Sequence, residues 1–179
     1  LLRANFYSML QKRRISAPIR DSLMATNLLW IIKNVYPKEK IIIWAHNGHI
    51  TKINPEYIEK GIYKGMSGLK GNMEQRMPED VKKKSYVLGL FAFQGKYVFL
   101  EKIYTSKKNK KNSLGSILMS SGYDMAFCDF SKQKPNKENE WMFKKIPVAN
   151  SFYYEKIIPY ERYDGVIVIK NAKPITRYK

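Results

Sequence analysis

Apolar residues near the start of the chain recur at helical spacing. Residues 1–14 carry Leu2, Phe6, Met9 and Leu10 at intervals of one to four, which predicts an amphipathic helix. The proline at the end of residues 16–18 is expected to break it. A second helix is then predicted over residues 19–35, and Tyr36-Pro37 should end it.

A different pattern follows this helix. Residues 41–45 read IIIWA, a short apolar run that is bounded by polar residues and rich in β-branched side chains. Such a run is typical of a strand that is covered on both faces. We therefore predict a buried strand whose C-terminal end carries His46.

The rest of the chain contains further short elements. Residues 86–93 and 97–104 are predicted to be strands joined by a hairpin turn at Gln94-Gly95-Lys96. The other predicted elements are a helix at 67–76, a helix at 113–120 ended by Gly122, a strand at 124–130, a helical turn at 138–143 and a strand at 166–169.

A helix that leads into a buried strand favours the α/β class. We predict a single domain, or the C-terminal part of one, with a mixed, mostly parallel sheet flanked by helices. No repeat and no Gly/Ser linker divides the chain, and residues 131–139 are predicted to form an exposed loop.

Composition narrows the class of protein. An apolar fraction of 44% and an aromatic fraction of 13% exclude a disordered chain. No apolar run is long enough to predict a membrane span. The single cysteine, Cys128, excludes a disulfide framework and a multi-cysteine zinc site, and its apolar surroundings predict a buried, inert thiol.

The charge is strongly positive, at +18. Of the 33 basic residues, 26 are lysines and seven are scattered arginines, whereas base recognition favours arginine. The densest basic tract, residues 107–111, contains no aromatic residue that could stack on a base. We interpret the charge as a solvated basic surface, and we expect no specific nucleic-acid partner.

The two histidines of the chain fall together in WAHNGHI, residues 44–50. Side chains at the carboxyl end of a strand commonly line a ligand crevice, and Asn47-Gly48 permits a tight turn there. His46 and His49 could act as a base or an electrophile, could bind a metal, or could simply hydrogen-bond within a loop. We favour the catalytic interpretation and expect no metal, because no carboxylate stands at ligand spacing within the motif.

Other candidate motifs are weaker. The glycines at 61, 65 and 68 miss the spacings of the nucleotide-binding loops, and no G-x-S-x-G elbow occurs. Arg20-Asp21 is predicted to open the second helix, where Asp21 would complement the helix dipole or Arg20 would reach into a crevice.

Two motifs in series carry a resemblance to a known family. The first motif is RDSLMATNLLWII at 20–32, and the second is IIIWAHNGHITK at 41–52. Further along the chain follow YVLGLFAFQGKY and YDGVIVIK. Together these segments resemble the erythromycin esterase family over about residues 15–170. The resemblance implies a hydrolase that opens a macrolide lactone or a related ester with an activated water molecule, without a metal or other cofactor.

The resemblance also implies the site. It assigns His46 and His49 to the active-site cleft and places Arg20 and Asp21 close by. With Asn47 and Trp44 of the same motif, these two residues are our expected substrate-binding groups for a small ester or lactone.

One departure from the family pattern shapes the prediction. The family's proposed general-base histidine lies in a Gly-Glu-x-x-His motif of the N-terminal half, and no such motif occurs here. We therefore interpret residues 1–179 as the C-terminal portion of an erythromycin-esterase-like domain whose partner is the N-terminal half, and we expect this chain alone to be inactive. The alternative is a non-catalytic, carbohydrate- or envelope-associated binding domain that uses the same cleft.

Overall fold

The computed structural model describes residues 13–52, 71–99, 102–106, 108–149 and 154–174. The chain divides into two compact units, Leu1–Ser85 and Tyr86–Lys179. The amphipathic helix predicted for residues 1–14 lies largely outside the described residues. Within these described ranges, no helix combines the length and the apolarity that crossing a membrane would need.

The main element of the first unit is a long helix, α1. It spans Arg13–Trp30 and continues as a π-helical segment, Ile31–Val35, that ends at Tyr36 as predicted. The break predicted at residues 16–18 is wrong, because Pro18 lies inside α1. A proline removes one backbone hydrogen bond, but it does not prevent the residues on either side from being helical.

One stripe of α1 is buried. Asp21, Ala25 and Leu28 follow each other at intervals of four and three residues, and each is at most 9% exposed. Ala25 and Leu28 form an apolar cluster with Met73 and Met77. This cluster holds the later part of the unit against the helix.

Residues 41–45 do not form the predicted strand. No described strand pairs with them, and Ile42 and Trp44 are 91% and 87% exposed. A β-branched run forms a strand only where a neighbour accepts its backbone hydrogen bonds, so the sequence pattern alone could not decide this.

Short helical turns complete the first unit. They are α2 at Asn47–Ile50, a 3₁₀ turn at Glu74–Arg76 and α3 at Glu79–Lys82. Of the helix predicted at 67–76, the first four residues lie outside the described residues, and Gly71 and Asn72 are not helical. In the described part of this segment, the helical turn is therefore shorter than predicted.

The second unit confirms the α/β class and the mixed sheet. Its main sheet has the order β2-β1-β6-β3, with β1–β6 parallel and the β1–β2 and β3–β6 pairs antiparallel. A separate antiparallel pair joins β4 to β5. The strands are β1 Leu88–Phe99, β2 Lys102–Thr105, β3 Met125–Asp129, β4 Ile146–Ala149, β5 Tyr154–Ile157 and β6 Gly165–Ala172.

The predicted hairpin turn at Gln94-Gly95-Lys96 is wrong, since β1 runs straight through it. Up to Gly95 the strand pairs with β6, and from Lys96 it pairs with β2. Gly95 has φ +137°, and a Cβ there would lie 2.1 Å from the carbonyl oxygen of Ala172. The glycine therefore marks a change of pairing partner within one strand.

The helices predicted at 113–120 and 138–143 and the strand predicted at 124–130 are confirmed within two residues, as α4 at Leu114–Met119, which Ser113 caps, a 3₁₀ turn at Glu140–Phe143, and β3. The strand predicted at 166–169 is longer, as β6, and the sequence did not predict β4, β5 or α5 at Pro159–Arg162. Residues 131–138 are exposed as expected. The core lies on one face of the main sheet, where the most buried apolar side chains are Leu114, Phe130, Val148, Val166 and Val168.

Candidate active site

His46 opens the turn that carries both histidines. It is the N-cap of α2, and its Nδ1 accepts a hydrogen bond from the backbone N–H of Gly48 at 3.0 Å. In the neutral ring the proton must then be on Nε2, which makes that atom a hydrogen-bond donor. His46 is exposed, so a bound molecule could reach this donor.

The surroundings of His46 favour its neutral form. Partial burial of the ring is the largest effect that lowers the pKa of His46 below 6.5, and the nearby His49 and Arg20 lower it further. At neutral pH the ring therefore donates from Nε2 without carrying a positive charge.

His49 is held at both ring nitrogens by two consecutive residues of α1. Its Nδ1 lies 2.5 Å from Oδ1 of Asp21, and its Nε2 lies 2.9 Å from Nη2 of Arg20. A guanidinium can only donate, so Nε2 accepts and the proton is on Nδ1, where it is donated to the carboxylate. The two contacts together select one tautomer of the imidazole.

Burial separates the roles of Arg20 and Asp21. Asp21 is 2% exposed, whereas Arg20 is exposed. Because α1 begins by Arg13, Asp21 lies beyond its first turn, and the expectation that it complements the helix dipole is wrong. The buried carboxylate orients His49, and the exposed guanidinium remains within reach of solvent.

Asn72 fixes the histidine turn from its other side. Its Nδ2 donates to the carbonyl oxygens of Gly48 and Thr51 at 3.1 and 2.7 Å, and its Oδ1 accepts from the backbone N–H of Gln75. The residue is 2% exposed. Asn72 was not predicted as a site residue, because one asparagine in a polar segment carries no signal for a contact 21 to 24 residues away.

The structure thus brings four of the six expected site residues together. The rings of His46 and His49 lie 6.3 Å apart, edge to face, with Arg20 and Asp21 on the second ring. The other two expected residues, Asn47 and Trp44, flank His46: Asn47 is the half-buried first residue of α2, and Trp44 points into solvent.

The nitrogens of the two rings are largely committed to these contacts. His46 uses Nδ1 for Gly48, and His49 uses both nitrogens for α1, so among the described residues Nε2 of His46 is the ring nitrogen without a hydrogen-bond partner. In the described parts of the chain, no three His, Cys, Asp or Glu side chains cluster as a metal site would require.

Cys128 lies half-buried on β3 in the second unit. Burial raises its pKa, with a smaller contribution from Asp129. A raised pKa keeps the thiol protonated and therefore weakly nucleophilic, as its surroundings in the sequence predict.

Comparisons with known proteins agree with the motifs. Residues 2–172 match the family model described as erythromycin esterase. A Bacillus subtilis (strain 168) protein named "Putative hydrolase YbfO" is 32% identical over 162 residues, which cover 87% of this chain and 35% of that protein. The chain thus spans about a third of the length of this relative.

Solved structures share the fold. A crystal structure of a Bacillus cereus protein has a TM-score of 0.67 at 19% identity, covering 91% of this chain and 40% of that one. A succinoglycan biosynthesis protein gives 0.65 at 20%, over 88% and 39% of the two chains. A histidine-to-asparagine mutant of the erythromycin esterase EreC, in its open conformation, gives 0.61 at 13%, over 87% and 38%. At these identities the likeness concerns the fold alone.

Proposed function

Since the chain belongs to the erythromycin esterase family, we propose that it forms the histidine-bearing part of an ester hydrolase. In this proposal an activated water molecule opens a macrolide lactone or a related small ester, without a covalent enzyme intermediate and without a metal or other cofactor. Residues 1–179 supply the groups that hold and polarise the ester carbonyl.

The observation that carries the proposal is the chain of contacts from Asp21 through His49 to Arg20. The buried carboxylate fixes the imidazole, and Nε2 of the imidazole fixes one N–H of the exposed guanidinium. A guanidinium has five N–H donors in a planar fork, so donors remain for a carbonyl oxygen. His49 therefore acts as a positioning residue, and Arg20 is the group that touches substrate.

His46 supplies a second, differently oriented donor. When water attacks the carbonyl carbon, negative charge develops on the carbonyl oxygen, and Nε2–H of His46 can donate to it. A neutral imidazole suits this role, because its donor needs no proton transfer to act. Together with Arg20 it would stabilise the oxyanion of the tetrahedral intermediate.

The base that activates the water is proposed to lie outside this chain. Nε2 of His49 accepts from Arg20, and Nδ1 of His46 accepts from Gly48, so neither lone pair is directed at a water molecule. The Bacillus subtilis relative is about three times as long as the segment that matches this chain. We therefore place the base in an N-terminal half, which would be the partner of residues 1–179.

Turnover by two proteins tests the proposal. The 179-residue chain and the protein from the complete reading frame are compared on a macrolide and a panel of small esters. We expect the short chain to remain at background and the complete protein to turn over. In the complete protein, Arg20→Ala and His46→Ala should each lower kcat/KM at least about 10²-fold, the typical cost of one oxyanion donor.

The controls separate the parts of this argument. Arg20→Lys keeps the charge but loses the planar fork of donors. On a logarithmic scale its kcat/KM should therefore lie closer to that of Arg20→Ala than to that of the wild type. Rapid turnover by the short chain would refute the external base. Unchanged turnover in both alanine variants would refute the donor roles. Binding of an oligosaccharide without any hydrolysis would instead support the binding-domain alternative.

A further inference from the structure

The basic loop that precedes α4 is held in place through its backbone. The carbonyl oxygen of Lys108 accepts a hydrogen bond from the hydroxyl of Tyr154 at 2.7 Å. That of Lys110 accepts from the backbone N–H of Ser113 at 3.1 Å and from the hydroxyl of Ser116 at 2.8 Å. These carbonyl oxygens are thus bound within the second unit, while the side chains of both lysines are exposed.

Asn109 fixes the middle of the same loop. Its Nδ2 donates to the carbonyl oxygen of Phe93 on β1 at 2.5 Å, and its Oδ1 accepts from the hydroxyl of Ser113 at 3.0 Å. Asn109 is half-buried, Ser113 is fully buried, and the residues on either side of Asn109 are exposed lysines. The loop therefore presents its ammonium groups from a backbone of defined shape.

Four exposed lysines belong to this loop or to the strand beside it. Nζ of Lys110 lies over the ring of Tyr154, 4.6 Å from its centroid. Lys156 follows Tyr154 by two residues on β5 and therefore points to the same side of that strand. We call Lys108, Lys110, Lys111 and Lys156 the lysine patch. None of the four pairs with a carboxylate of the described residues.

The charge of the lysine patch is not balanced along the sequence either. Residues 102–123 contain five lysines and neither Asp nor Glu. Like charges that are held near one another repel, and an anionic partner offsets this repulsion. The lysine patch therefore fits a partner that carries negative charge.

The chemistry of the lysine patch favours a lipid surface over a nucleic acid. Its ammonium groups bind phosphate as point charges, whereas bidentate phosphate contacts and base recognition favour arginine. One face of the Tyr154 ring is covered by Lys110, and its hydroxyl is bonded to Lys108, so the ring is a poor platform for a base. A bilayer with anionic lipids requires neither a fork nor a stacking ring, because clusters of about four to eight basic residues bind its surface potential.

We propose that the lysine patch docks the protein on the surface of an anionic lipid bilayer. The contact is electrostatic and peripheral, with the ammonium groups against the lipid phosphates. Because hydrogen bonds already order the loop backbone, docking costs less conformational entropy than it would for a flexible lysine tail. The proposal rests on the second unit alone and does not depend on the histidines or on hydrolysis.

Co-sedimentation with lipid vesicles tests the proposal on the protein from the complete reading frame. Vesicles of phosphatidylcholine alone are compared with vesicles that also contain phosphatidylglycerol, an anionic lipid. We expect binding to the anionic vesicles only. Binding should weaken steeply as salt is raised above about 0.1 M, because salt screens exposed charges.

Two variants with the same net charge locate the binding surface. The loop variant replaces three lysines of the lysine patch: Lys108→Gln, Lys110→Gln and Lys111→Gln. The control variant replaces three exposed lysines of another loop in the same unit: Lys132→Gln, Lys134→Gln and Lys137→Gln. Each lysine at an anionic surface strengthens binding about fivefold, so the loop variant should bind about 100-fold more weakly than the wild type. The control variant should lose less than about fivefold, and both should melt like the wild type.

Several outcomes would overturn the proposal. Equal losses in the loop and control variants would show that binding follows net charge and not the lysine patch. A loop variant that binds like the wild type would show that the lysine patch does not face the bilayer, and a wild type that binds both kinds of vesicle equally or neither would exclude the electrostatic contact. Tighter binding of the wild type to inorganic polyphosphate or duplex DNA than to the anionic vesicles, at the same salt, would favour a soluble phosphate polymer instead.

Discussion

Nη2 of Arg20 lies 2.9 Å from Nε2 of His49, although 29 positions separate the two residues in the sequence. The next residue of the helix, Asp21, holds the other nitrogen of the same ring. Consecutive residues on a helix point in directions about 100° apart, so a donor and an acceptor can flank one imidazole only if the ring stands close to the helix. The apolar cluster that includes Ile50 and Met73 brings the histidine turn to that position.

Asp21→Asn tests whether the tautomer matters. An amide can donate to Nδ1, which would move the ring proton to Nε2 and set it against the Arg20 guanidinium. We expect the complete protein to lose at least about tenfold in kcat with little change in KM, because the lost interaction positions a group for the transition state. Initial rates over a range of ester concentrations measure both parameters.

Asp124→Asn is the matched control for this substitution. Asp124 is exposed and pairs with Lys170 in the second unit, so its neutralisation removes the same charge without touching His49. An equal loss of kcat in both variants would show that net charge, and not the ring contact, is responsible. A pure rise in KM in Asp21→Asn would also contradict the positioning role.

His46 combines a capping role with a donor role, and two substitutions separate them. Asparagine is a good N-cap, so His46→Asn should keep an acceptor for the Gly48 N–H and cost little stability, whereas His46→Ala should cost about 1 kcal/mol. Both lack the imidazole Nε2–H, and both should therefore lower kcat/KM by about 10²-fold in the complete protein. Chemical denaturation and ester turnover provide the two measurements.

The two roles of His46 are distinguished by whether the loss of activity follows the loss of stability in these variants. If activity followed stability, so that His46→Asn recovered the turnover that His46→Ala loses, the histidine would act only as a cap. In that case the proposed oxyanion donor would have to be sought in another residue.

Residue patterns predicted several elements of the second unit because the signals that start and end those elements lie within the segments themselves. The helix after Ser113 has a side-chain cap in the sequence, and β6 is an apolar run bounded by Asp164 and polar residues. The hairpin failed for a physical reason: Gly95 satisfies the signature of a turn, but its positive φ serves a close contact with Ala172 instead. A single glycine does not distinguish these uses.

The first unit shows what local residue patterns cannot predict. The motif residues Arg20, Asp21, His46 and His49 were found from the sequence, and the structure brings them together, yet the strand expected to carry His46 is absent from the described residues. Strand formation depends on a pairing partner, which a local pattern cannot reveal. Asn72 was missed for the same reason, since its role exists only through contacts distant in sequence.

The pKa of His46 predicts a dependence of stability on pH. Because the folded protein holds the pKa of this ring below 6.5, the unfolded chain takes up the proton first as the pH falls. The contribution of His46 to stability is therefore complete above about pH 6.5 and decreases as the pH falls through the folded pKa. His46→Asn cannot titrate, so its unfolding free energy should decrease less than that of the wild type on acidification.

Denaturation curves of both proteins at several pH values between about 5 and 8 measure this difference. The comparison cancels the other titrating groups that the two proteins share. A wild-type chain that gained stability relative to His46→Asn below about pH 6.5 would reverse the sign and would show that the ring binds its proton more tightly when folded.

Asn72 should control the activity of the histidine turn without touching the substrate. Asn72→Ala leaves the carbonyls of Gly48 and Thr51 without this donor and should cost about 1–3 kcal/mol. Asn139→Ala is the matched control, because Asn139 is likewise buried and donates to a loop carbonyl, that of Lys134, in the second unit. Denaturation should show similar losses of stability in the two variants. Only Asn72→Ala should lower kcat/KM of the complete protein by more than about tenfold, at a temperature where both variants are folded.

Asn72→Asp keeps the shape of the side chain but replaces the donor with a carboxylate that faces two carbonyl oxygens, so it should cost more stability than alanine does. Equal activity in Asn72→Ala and Asn139→Ala would mean that the turn keeps its geometry without this contact.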